Sequence, residues 1–61
     1  EAMEVTPDLE IRLYAAVRVA TDPRVPLRFT GARFDAKAVG WWCEVGLYEP
    51  VFIGIEEIDR P

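Results

Sequence analysis

Apolar and polar residues alternate along two long runs of this chain. In the first, Leu9, Ile11, Leu13, Ala15, Val17 and Val19 are interleaved with Glu10, Arg12, Tyr14, Ala16, Arg18 and Ala20. A period of two over that length predicts a half-buried strand. Thr6-Pro7-Asp8 offers a competing start, an N-cap followed by proline at the first helical position. On a helical wheel, however, Ile11, Ala15 and Val19 fall opposite Leu9 and Leu13, and the charges do not segregate. The strand is therefore preferred, with a bend near Ala15-Ala16 because twelve residues is long for one straight strand. A helix over 7–20 is the alternative.

The second run spans 39–48. Val39, Trp41, Cys43, Val45 and Leu47 share one face, and Gly40, Trp42, Glu44, Gly46 and Tyr48 the other. Two glycines argue against a helix here. Glu49-Pro50 interrupts the run. Val51, Ile53 and Ile55 then oppose Phe52, Gly54 and Glu56 in a further strand, whose second face also receives Ile58. Between the two runs, Asp22-Pro23 predicts a turn over Thr21–Arg24. Leu27–Thr30 and Ala32–Phe34 read as short strands around a turn or bulge at Gly31. Asp35 is placed to cap a single helical turn over 35–38.

These elements predict an all-β domain, a small antiparallel meander of four to five strands, either a curled sheet or a small barrel. Helix 7–20 would make it α+β instead. Residues 1–61 form a single domain, with frayed ends expected at 1–6 and 59–61.

Size then becomes informative. A chain of 61 residues buries only about 60% of the surface exposed by its unfolded form, which leaves stability marginal without a staple. Cys43 is the only cysteine, so no disulfide forms within the chain, and the lack of histidine removes the usual zinc sites. With 51% hydrophobic residues, a chain this short is expected to hide a second surface against a partner. Cytoplasmic localisation is expected, since no segment spans a bilayer or has the layout of a signal peptide.

The inventory also narrows the chemistry. With neither Ser nor His, no Ser-His-Asp or Cys-His nucleophile system can be assembled. Gly31, Gly40, Gly46 and Gly54 are spread too evenly for a phosphate loop. Cys43 lies on the apolar face without a basic neighbour in sequence, as a core residue does. Glu56, Glu57 and Asp59 read as a solvated strand end. No catalytic residue, metal or cofactor is expected.

The net charge is −4, with acidic ends flanking a basic middle, residues 11–37. Cross-strand pairing of opposite charges explains this without a ligand.

Trp41-Trp42 is the most distinctive feature. On a strand the two rings face opposite sides. Trp41 joins the apolar face, and Trp42 marks the second. That face is expected to gather Trp42, Tyr48, Phe52, Tyr14 and Ile58, with Arg12 and Arg18 at its rim. Part of it is explained structurally if the aromatics cover strand glycines. Trp, Tyr and Arg are also the residues that most often carry interface energy. The expected function is a non-catalytic protein–protein interaction or oligomerisation module, a homo-oligomer or a small regulatory subunit. The alternative is a small β-barrel that binds nucleic acid or another anion through Arg12, Arg18, Arg24, Arg28 and Arg33.

Overall fold

The computed structural model describes residues 4–46 and 49–58. The chain runs α1 (Pro7–Ala20), β1 (Gly31–Asp35), β2 (Gly40–Glu44), β3 (Val51–Gly54) and α2 (Ile55–Ile58). The three strands form one antiparallel sheet in the order β1-β2-β3. The architecture is α+β, and the all-β meander of four to five strands is corrected accordingly.

The correction lies in the first run. Thr6 is the N-cap of α1, its side-chain oxygen accepting from the Leu9 amide at 3.1 Å, and Pro7 opens the helix. The Glu10 amide donates to the Thr6 carbonyl at 2.9 Å. Asp8 and Glu10 stand in the first turn and Arg18 in the last, where each charge opposes the helix dipole. The alternating pattern misleads because it contains two rows spaced by four. Leu9, Leu13 and Val17 form one side of the helix, and Ile11, Ala15 and Val19 form nearly the opposite side. Leu13 and Val17 are fully buried, whereas Ile11 and Val19 are exposed.

At the end of α1 the Thr21 hydroxyl donates to the Val17 carbonyl, 2.8 Å away. The predicted turn follows: the Val25 amide donates to the Asp22 carbonyl at 3.0 Å, and Asp22 Oδ1 accepts from the Arg24 amide at 2.9 Å. Residues 27–30, expected as a strand, have no regular secondary structure and add no strand to the sheet. They lean on it through Leu27 and Phe29, which pack against the core, and through the Thr30 amide, which donates to the Glu44 carbonyl. Gly31 begins β1 opposite Glu44 rather than forming a turn or bulge.

A four-residue turn joins β1 to β2. Asp35 Oδ1 accepts from the Lys37 and Ala38 amides, both at 3.1 Å, so Asp35 caps the turn, which is a strand-joining turn rather than the single helical turn expected over 35–38. The turn closes on Val39, which has φ +56°, a left-handed conformation unusual for a β-branched residue. β3 ends at Gly54, where the chain turns into α2 instead of continuing as a strand. The Glu57 carboxylate reaches back to accept from the Gly54 amide at 2.8 Å, the returning half of a capping box.

Strand alternation then sorts the sheet. Trp41, Cys43 and Ile53 face α1 and form the core with Leu13, Val17 and Val45. Phe34 is paired with Trp41 across β1 and β2, and their rings meet edge to face at 5.2 Å and 62°. Each fully buried aliphatic side chain contributes roughly 1.5–3 kcal/mol of burial. Cys43 is buried among them, as its apolar position implied. The helix covers this face alone. Among the described residues, no helix is long and apolar enough to cross a membrane.

Candidate interaction surfaces

The register places Arg33, Trp42 and Phe52 in one cross-strand row on the face turned away from α1. Trp42 and Phe52 are half-buried and in contact, with ring centroids 5.0 Å apart at 58°. The indole Nε1–H of Trp42 donates to Asp35 Oδ2 at 3.0 Å, so one carboxylate both caps the β1–β2 turn and fixes the ring. These bonds hold the Asp35 carboxyl below its ordinary range, the indole bond first and the Ala38 amide next. Gly40 and Gly54 pair beside the aromatics, and the Phe52 ring lies across Gly40. Arg33 and Glu44 are exposed on the same face. The aromatic pair thus has a structural task, covering bare strand backbone.

The remaining predicted members of this face lie elsewhere. Tyr14, Arg12 and Arg18 belong to α1, in the layer on the opposite side of the sheet. Ile58 packs against the core cluster. Tyr48 lies outside the described residues. The expectation that Trp42, Phe52, Tyr14 and Ile58 converge, rimmed by Arg12 and Arg18, is therefore corrected. It assumed that residues 9–20 add a strand beside 39–48, and they form a helix across the sheet instead.

The five arginines of the anion-binding alternative are also dispersed, Arg12 and Arg18 on α1, Arg24 and Arg28 between α1 and β1, and Arg33 on β1. Arg18 donates through Nη1 to the Val25 carbonyl and through Nη2 to the Asp22 carbonyl, both at 2.9 Å, and so ties α1 to the turn that follows it. Arg24 is paired with Asp22 at 2.9 Å, the one ion pair among the described residues. Their shared hydrogen bonds lower the Asp22 carboxyl and raise the Arg24 guanidinium from their usual values. Arg33 lies on the sheet face away from α1, while Arg12 is exposed on α1 itself.

A surface that sequence reasoning missed lies on the outer side of α1. Ile11, Ala15 and Val19 form an exposed row, with Ile11 69% and Val19 88% accessible. Glu10, Tyr14 and Arg18 form the neighbouring row. The signal was present as the i, i+4, i+8 spacing on the helical wheel, where it served as an argument against the helix.

Chemistry is sparse elsewhere. Burial pushes the Cys43 thiol up to about 11, which leaves it un-ionised and shielded at neutral pH. A shallow depression of about 430 Å³ between the β1–β2 turn and α2 is lined by Ala38, Val39, Gly54, Ile55, Glu56 and Glu57. Glu57 is committed there to the Gly54 amide. No group of three or more metal-ligating side chains occurs among the described residues.

No protein-family model matches this chain, and neither a curated protein nor a solved structure resembles it closely enough to match.

Proposed function

We propose that this chain is a non-catalytic protein–protein interaction module whose working surface is the outward side of α1. One observation carries this reading: α1 carries a row of apolar residues on each of two opposite sides, and the sheet covers only one of them, the other being flanked by the exposed Asp8 and Arg12. A helix that merely roofs a sheet keeps its outward side polar. Here that side presents Ile11, Ala15 and Val19 in line, with Tyr14 beside them. Covering such a row also gives a short, unstapled domain the additional burial it lacks. Trp42 and Phe52 are weaker anchors, because their rings already pack on each other and over Gly40. The arginine-based anion surface is weaker again, since Arg18 and Arg24 are engaged within the domain.

A photo-reactive phenylalanine analogue at position 19, compared with one at the exposed position 44 on the other side of the sheet, tests this reading. Cross-linked protein adducts at 19 and not at 44, formed in the cells that make the chain naturally, are expected. Equal yields at both sites, adducts at 44 alone, or none at either would overturn it.

A further inference from the structure

We draw no further inference here: the strongest candidate, the exposed Ile11–Ala15–Val19 row on the outer side of α1, belongs to the surface already described, and nothing in the structure shows what covers it.

Discussion

The Phe52 ring lies across Gly40, filling the space that a side chain at position 40 would need. A Cβ placed there would collide with the ring and stand 2.6 Å from the Ile53 carbonyl oxygen. Neither neighbour can yield easily, since one belongs to the Trp42–Phe52 pair and the other is backbone of β3. Gly40→Ala should therefore cost about 3 kcal/mol. At Gly31 the nearest atom to such a Cβ is a Glu44 carboxylate oxygen at 4.0 Å, so Gly31→Ala should change stability by less than about 0.5 kcal/mol. Urea midpoints of the two variants measure the difference, and equal losses would contradict the close packing of Phe52 on Gly40.

Val39 holds a left-handed backbone at φ +56° and is 53% exposed. Its conformation costs roughly 1–2 kcal/mol for a residue with a Cβ, while its half-exposed side chain offsets little of that. Val39→Gly should raise the urea midpoint by an amount equivalent to about 1 kcal/mol at unchanged m-value. A lower midpoint would mean that the Val39 side chain contributes more through contacts than its backbone strain costs.

Asp35 joins the β1–β2 turn to Trp42, and its folded-state pKa lies below the ordinary 3.8. The unfolded chain therefore binds more protons than the folded one between those two values, and stability rises with pH across that window. The contribution is fully present above about pH 4 to 5 and is lost as pH falls through the depressed value. Asp22, lowered by Arg24, adds the same sign. Asp35→Asn should flatten the acid limb of the stability–pH curve, and Trp42 fluorescence should respond where the carboxyl titrates in the wild type. An acid limb identical in the two proteins would show that Asp35 does not contribute to it.

Leu13 and Val17 are fully buried, whereas Ile11 and Val19 are exposed. Leu13→Ala should cost about 3 kcal/mol, combining lost transfer free energy with a cavity. Ile11→Ala and Val19→Ala should be neutral or slightly stabilising in the monomer, because alanine is the better helix former. On a strand all four would share one face and all four would be costly. Urea midpoints across this alanine series, taken on diluted protein, distinguish the two structures.

Much of the sheet was legible because its signals are local. The alternation at 40–44 and 51–54, the turn at Asp22-Pro23 and the cap at Asp35 all rest on contacts a few residues apart. So does the assignment of Trp41 inward and Trp42 outward, since successive strand residues must face opposite ways. The open face was foreseen through its glycines and aromatics, but its membership was not. Arg33 and Asp35 reach it through the β1–β2 register, which no local pattern states.

The Trp41-Trp42 step and the burial of Cys43 therefore follow from the sequence by itself, whereas Thr6-Pro7 offered a helix start that the alternation after it outweighed. Which of two apolar rows on 9–20 is buried, and that these residues form a helix at all, was decided by the tertiary structure. Alternation by two contains spacing by four, so one pattern describes either a strand with a single apolar face or a helix with two. Packing resolves the ambiguity: one face of the sheet is roofed by Leu13 and Val17, and the same helix then holds Ile11 and Val19 out toward solvent.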